Sequence, residues 1–404
     1  MVNVVEKVQV VENLPKGWKW ARLGDVCNTT SGGTPSRGNA SYYGGGIPWV
    51  KSGELTDGDV FKTSEKITQE GLNNSSAKLF PSGTLLIALY GATVGKLGIL
   101  QMEAATNQAV CAIFPNELVL KDFLFFHLLS CREDLLEISF GGAQPNISQN
   151  IIRDLIIPLP PLPEQKRIVG ILSDRLTAID KARTATETQL KAVKALPAAY
   201  LRQVFDSPEA QKWKRKKLGD ILELRREVIH PHDNPKGAAT FVGLEHIQSS
   251  TGICIGSIDV EMSELKGRKP KFHKGDIVYG YLRPYLNKVW LSEFDGLCSV
   301  DQYVFSTIPG VVDSDFVAWF MRSPVYLNRA PIGYTPGQLP RIRTEEVLSV
   351  EINLPSINQQ RQVVKQLAKK LSDTEGIRKS LQFQLNTINQ LPAATLRQAF
   401  NGEL

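Results

Sequence analysis

LPAAYLRQVF at Leu196–Phe205 and LPAATLRQAF at Leu391–Phe400 agree at eight of ten positions and stand 195 residues apart. In a chain of 404 residues that offset is close to half the length, so the pair marks an internal duplication rather than a local motif. The offset runs back without a gap to Glu164 and Gln359, with 15 identities over the 42 residues 164–205 and 359–400. Apolar positions pair in order: Ile168 with Val363, Leu172 with Leu367, Leu176 with Leu371, Leu190 with Leu385, Val193 with Ile388. Their spacing of three and four is helical and lies near the heptad seam of a coiled coil.

Between the Pro-rich run PLPPLP (158–163) and Pro197 there is no proline and only Gly170, which predicts a helix of about 33 residues. Pro197 and Pro392 are expected to end or kink the two helices at one point. Two helices with matching seams most simply pack against each other, antiparallel. The same offset relates Trp18-Lys19 and Leu23-Gly24-Asp25 to Trp213-Lys214 and Leu218-Gly219-Asp220. Between these anchors the halves diverge, and landmarks remain: Ser82-Gly83-Thr84 with Lys274-Gly275-Asp276, Asn107-Gln108 with Asp301-Gln302, Asp122-Phe123 with Asp315-Phe316, and Gln144 with Gln338. The expected fold is therefore α+β: two similar globular domains joined by two long conserved helices in an antiparallel coiled-coil pair, a pseudo-twofold internal repeat. The expected boundaries are 1–163 and 206–358 for the globular domains, and 164–205 and 359–404 for the helices.

Composition bounds the function. Hydrophobic content of 42% and charged content of 22% suit a soluble globular protein. The first twenty residues contain no apolar signal region, and no apolar run reaches membrane-spanning length. Cys27, Cys111, Cys131, Cys254 and Cys298 are odd in number and form no CxxC pair, which points to a reducing cytoplasm and away from a disulfide framework or zinc ribbon. The net charge of +6 permits a polyanionic partner without demanding one.

No catalytic constellation emerges. GATVGK (91–96) has three residues between its glycines where a P-loop has four, and Leu97 stands where a magnesium-binding hydroxyl belongs. There is no GxGxxG, HExxH or GxSxG, and no Asn-Pro-Pro-aromatic segment of the kind that holds a target adenine. Of five histidines only His230 and His232 are close, with no further ligand nearby. The chain alone is expected to do no chemistry and to hold no metal or cofactor.

Strand-like runs at 85–90, 109–114, 276–282 and 302–308 alternate with short apolar helices, FLFFHLLS and FVAWFMRS. Loops between them are dense in polar and aromatic side chains of the types that read base edges and grip phosphates. In the first half these are Thr34, Arg37, Asn39, Tyr42, Tyr43, Lys51, Tyr90, Thr93, Lys96, Gln144 and Asn146. In the second they are Arg225, Arg226, Tyr281, Arg283, Tyr285, Asn287, Lys288, Gln338, Arg341 and Arg343. As single residues each is equally a solvated loop position; the segment Tyr281–Lys288 concentrates several contact types.

These residues resemble those of the specificity subunits of type I restriction-modification systems, over essentially the whole chain. The matching segments are LPKGWKWARLGDV with SGGTPS (14–36), IPWVKSGEL (47–55), ATNQA (105–109) and GGAQPNIS followed by IPLPPLPEQKRIV (141–169). The second half carries weaker counterparts: WKRKKLGDI, FVGLEHI, SVDQYVF and INLPSINQQRQVV. The resemblance implies that each globular unit is a target recognition domain reading one half of a split double-stranded DNA sequence. It implies that the helices space these domains and dock two methyltransferase subunits, with restriction-motor subunits joining through the complex. S-adenosylmethionine, ATP and magnesium would then be used by those partners, and no membrane is involved. Leu196, Leu201, Arg202 and Phe205, with Leu391, Leu396, Arg397 and Phe400, are the expected docking residues. Two alternatives stay open: a coiled-coil scaffold whose globular modules bind proteins, and an orphan specificity subunit of a methylation-only system. Salt-dependent DNA affinity separates the first from the family reading; neighbouring genes separate the second.

Overall fold

The computed structural model describes residues 14–139, 146–333 and 339–404. Residues up to Thr186 together with Gln384–Leu404 form one compact unit, and Glu187–Phe383 form the other.

In the first unit, strands Cys27–Ser31, Val110–Pro115, Leu85–Ala88, Leu97–Leu100 and Gly58–Val60 lie in that order in one sheet. A second sheet orders Glu65–Ile67, Tyr43–Val50, Ala104–Thr106 and Leu79–Phe80, and Lys19–Arg22 pairs antiparallel with Ile156–Leu159. Leu85–Ala88 is buried along its whole length, as its unbroken apolar run requires. Helix Lys121–Ser130 covers this sheet, burying Phe123, Leu124, Phe125, His127 and Leu128.

The second unit repeats the plan. Strands Leu222–Leu224, Gln302–Thr307, Ile277–Gly280 and Val289–Leu291 form the matching sheet, beneath helix Ser314–Arg322. Its other sheet keeps the strand order and pairing directions of the first unit's and adds one edge strand, running Ile258–Glu261, Ala238–Val242, Gly296–Cys298, Lys269–Phe272 and the added Val228–Ile229. Lys214–Lys217 pairs with Glu351–Leu354, as Lys19–Arg22 does with Ile156–Leu159.

Ladder register corrects one sequence landmark. Ala88 faces Val110 in the first unit, and Gly280 faces Gln302 in the second. The turns before these strands also match, Val110 N–H donating to Asn107 O and Gln302 N–H to Ser299 O. Asn107-Gln108 therefore corresponds to Ser299-Val300, not to Asp301-Gln302. Hydrogen bonds set the register here, and similarity of short sequences did not reveal it.

The long helices are Leu162–Phe205 and Ile357–Phe400, 44 residues each, with Pro197 and Pro392 inside them. Of the end or kink expected at proline, an end is not realised: each helix runs on through it. Each proline removes one backbone donor, yet the turns beyond it carry large apolar side chains into a packed core, which holds the helix together past the break.

The two cores receive these ends reciprocally. In the first unit Ile168 and Leu172, near the start of the first long helix, share one cluster with Leu396, Ala399 and Phe400 at the end of the second. In the second unit Leu201 and Phe205, at the end of the first helix, share a cluster with Leu367, near the start of the second. In each core one helix start thus lies with the other helix's end, as an antiparallel pairing requires. Phe400 meets Phe123 at 5.3 Å and His127 at 4.8 Å, edge to face; Phe205 meets Phe316 at 5.2 Å and Phe320 at 5.4 Å in the same way. His127 takes the place of Phe320, and burial pushes its imidazole down to about 4, so it packs as a neutral ring.

The identical glutamines of the repeat also have a purpose. Gln165 is fully buried, accepts from the Leu120 N–H at 2.7 Å and donates to Pro160 O at 2.8 Å. Gln360, equally buried, accepts from the Asp313 N–H at 2.9 Å and donates to Pro355 O at 2.9 Å. Each closes the chain between the globular part and its helix by satisfying backbone groups that would otherwise be desolvated and unpaired.

All five cysteines are unpaired, and burial pushes the thiols of Cys27, Cys111, Cys131 and Cys298 up to about 12. Among the described residues no helix is long and apolar enough to cross a membrane.

Candidate nucleic-acid interface

The loop after strand Cys27–Ser31 is seated by its glycines. A Cβ on Gly32 would stand 2.1 Å from Thr106, and one on Gly33 would stand 2.2 Å from the Ser76 backbone, so only glycine allows this approach. Trp49 donates its ring N–H to Gly33 O at 3.1 Å, and the Tyr43 hydroxyl donates to Pro35 O at 2.5 Å. Arg37, next in the loop, lays its guanidinium over Tyr43 at 4.5 Å and Trp49 at 5.1 Å. It donates to Glu65 Oε2 at 2.7 Å, while Lys51 Nζ donates to Glu65 Oε1 at 2.7 Å.

Thr34 donates its hydroxyl to Gln108, which also hydrogen bonds Tyr90, and Tyr90 bridges to the exposed Asn146. Thr34, Arg37, Tyr43, Lys51, Tyr90 and Asn146 are thus brought into one connected surface. Other residues expected at the interface have inward tasks. Asn39 accepts from the Ser41 N–H at 3.1 Å and shapes a turn. Tyr42 is half-buried against Gly71. Lys96 donates to Asp57 at 2.6 Å, and the Arg132 guanidinium grips the same carboxylate. Burial alone would raise the Asp57 carboxyl, but Lys96, the Leu97 N–H and Arg132 outweigh it and hold it below the usual range. Thr93, half-buried, accepts from the Lys96 N–H through its carbonyl in that braced loop. Gln144 and Gln338 lie outside the described residues.

In the second unit Tyr281 stacks on Tyr303 at 4.4 Å. The pair lines a groove of about 540 Å³ with Gly333, Leu339, Arg341 and Arg343. Arg341 and Arg343 are exposed there, and Tyr285 is 54% exposed on the neighbouring loop. Arg283 opens that loop at φ 54° and donates its N–H to Pro340 O at 2.8 Å. Arg226 is exposed.

Three expected contacts of this unit are committed elsewhere. Asn287 is 2% exposed and donates to Arg322 O at 2.9 Å. Lys288 donates to Leu244 O at 2.6 Å. Arg225 donates twice to the buried Asp276, at 2.6 and 2.7 Å. Asn287 and Lys288 turn inward to satisfy backbone carbonyls, and Arg225 does so to pair the buried Asp276 carboxylate. Tyr303, Gln108 and Glu65 were absent from the expected contacts. Cross-strand alternation could have found Tyr303; nothing local links Glu65 to Arg37.

Of the expected docking residues, Leu201, Phe205, Leu396 and Phe400 are buried in the chain's own cores. The repeated decapeptide thus spends these four side chains on the chain's own packing, while Phe400 also lines a small pocket with Trp20, His127 and Arg397. Leu196 is half-buried, while Arg202, Leu391 and Arg397 are exposed.

His273 sits between Glu227 at 3.0 Å and Asp295 at 3.3 Å. The hydrogen bond to Glu227, then that to Asp295, holds its imidazole above the ordinary 6.5. The folded state therefore favours the protonated ring. That stabilisation is complete below 6.5 and lost as pH rises through the higher folded value. The difference in melting temperature between the protein and His273→Gln, measured from about pH 5 to about pH 8, is expected to shrink as pH rises. A constant difference would remove the histidine from this account.

Among the described residues no group of three or more His, Cys, Asp and Glu side chains is placed to hold a metal ion.

Residues 15–193 match the family described as type I restriction modification DNA specificity domain. The chain is 22% identical, over an alignment 423 positions long, to the type I restriction enzyme EcoDI specificity subunit of Escherichia coli, covering 97% of this chain and 89% of that one. A chain solved in work on complex assembly and conformational transition of the type I R-M system superposes with a TM-score of 0.74 at 20% identity, covering 97% of this chain and 100% of that one. The HsdS subunit from Thermoanaerobacter tengcongensis superposes with a TM-score of 0.64 at 19% identity, over 97% and 98% of the two chains.

Proposed function

We propose that the chain is a type I restriction-modification specificity subunit, each globular unit of which reads one half of a split DNA target. It is the non-catalytic, sequence-reading member of its complex. The observation that carries the split reading is one scaffold with two different surfaces. Tyr90–Lys96 and Leu282–Lys288 occupy the same place after the same strand, since Ala88 N–H donates to Lys96 O as Gly280 N–H donates to Lys288 O. The side chains between are Gly-Ala-Thr-Val-Gly in one and Arg-Pro-Tyr-Leu-Asn in the other. A copied framework with divergent contents suits two modules that read different sequences from one chassis.

DNA binding is assigned in the first unit to Thr34, Arg37, Tyr43, Lys51, Tyr90 and Asn146. In the second it is assigned to Arg226, Tyr281, Arg283, Tyr285, Arg341 and Arg343. Arginine forks suit guanine edges in the major groove, and hydroxyls and lysines suit phosphates. The long helices set the distance between half-sites and dock two methyltransferase subunits through exposed positions, among them Arg202 and Arg397. S-adenosylmethionine, ATP and magnesium act on those partner chains, in the cytoplasm.

The test is a single-molecule methylome of host DNA with this gene present and deleted, partner genes intact. Loss of one split motif, adenine-methylated on both strands, is expected on deletion. An unchanged methylome, with no salt-dependent DNA affinity in the full chain, would favour a protein-binding scaffold.

A further inference from the structure

We propose that Glu65 is a specificity-determining residue of the first unit, an anionic gate that holds Arg37 and Lys51 back from DNA lacking the correct base pair. The inference rests on the DNA-reading function proposed above and adds a residue to it. Glu65 spends one oxygen on each cation, Oε2 on Arg37 and Oε1 on Lys51, both at 2.7 Å. The Arg37 side chain remains 55% exposed, and its hydrogen bond to Glu65 engages a single guanidinium nitrogen. Tyr43 and Trp49 meanwhile fix the position of the guanidinium by stacking. A planar fork held in place, with donors still facing solvent, is suited to the O6 and N7 acceptors of guanine.

The carboxylate is not needed to build the fold. Glu65 is placed by its strand, facing Trp49 in the antiparallel ladder, and its ion pairs remain solvent-accessible, a setting in which such pairs add little to stability. Its charge matters to DNA instead. Beside a phosphate backbone it repels, and it competes with phosphates for both cations. Non-cognate DNA brings phosphates to Arg37 without a guanine edge at that position, a poor exchange for a formed ion pair. A guanine edge adds two aligned acceptors and releases the arginine from Glu65. The gate therefore lowers non-specific affinity more than specific affinity, which is how an opposing charge creates discrimination.

The test uses the full chain with two DNA duplexes: the target found by methylome sequencing, and the same duplex scrambled in the first unit's half-site. Affinities are measured by fluorescence anisotropy at several salt concentrations. Glu65→Gln is expected to tighten binding to the scrambled duplex by about tenfold while target affinity changes little. The salt slope on scrambled DNA should steepen by about one to two, because each freed cation, Arg37 and Lys51, neutralises about one further phosphate. Arg37→Ala in the Glu65→Gln background should return most of the added affinity. If the unmodified chain discriminates but Glu65→Gln leaves scrambled-duplex affinity and salt slope unchanged, or weakens both duplexes equally, Glu65 is no gate. If the unmodified chain shows no salt-dependent DNA binding, the DNA-reading function itself fails, and the gate with it.

Discussion

Phe400→Ala is expected to destabilise the first unit by about 3–5 kcal/mol, and Phe205→Ala the second by a similar amount. Phe400 is 6% exposed and Phe205 is 2% exposed, each pressed edge to face on two rings of a helix far away in sequence. Truncation removes the transfer free energy of the ring and leaves a cavity that helix Lys121–Ser130 or Ser314–Arg322 cannot easily collapse into. It also releases the last turns beyond Pro392 or Pro197, which rely on that burial to stay helical. Calorimetry should resolve the site of damage, since each variant should lower chiefly the transition of the unit receiving the ring. Phe→Leu at either place should recover much of the loss by refilling the volume. A variant pair that melts like the unmodified chain would mean that the repeated decapeptide is not what closes the cores.

Adding seven residues to both long helices, at matching positions between 176 and 190 and between 371 and 385, is expected to abolish methylation of the original target and create a new one. Seven residues preserve the heptad seam and lengthen a helix by about 10 Å. At roughly 3.4 Å per base pair, the unread gap should grow by about three base pairs while both half-sites keep their sequence. The existing helices of 44 residues correspond to about 66 Å each, longer than the span expected from a stop at proline. An insertion in one helix alone should mismatch the pair and lose activity without a new target. Methylome sequencing reads the outcome directly. A changed half-site with an unchanged gap would defeat the spacer role of the helices.

Much of this molecule was legible in one dimension because its evidence is linear. Leu172 and Leu367, or Gln165 and Gln360, can be paired by counting, and apolar spacing reports helix or strand through local geometry. The duplication, the two long helices and strands within 85–90 and 276–282 follow from such counting, while the family resemblance rests on particular motifs such as GGAQPNIS followed by IPLPPLPEQKRIV. What counting could not supply depends on contacts between distant residues. Pro197 reads as a stop until the core that takes up Leu201 and Phe205 is known. Lys96 reads as a free cation until Asp57 and Arg132 meet it. Asn287 reads as a loop donor until Arg322 O accepts its amide.

Sequence by itself therefore determined that this chain is one unit written twice, with constant helices and variable contents, because a copied length and a hydrophobic period survive in linear order. Only the tertiary structure decided that the repeated decapeptides are internal anchors, which loop positions face outward, and that Glu65 restrains Arg37. Those outcomes are set by which side chains lose water together, and burial and pairing are properties of neighbours in space.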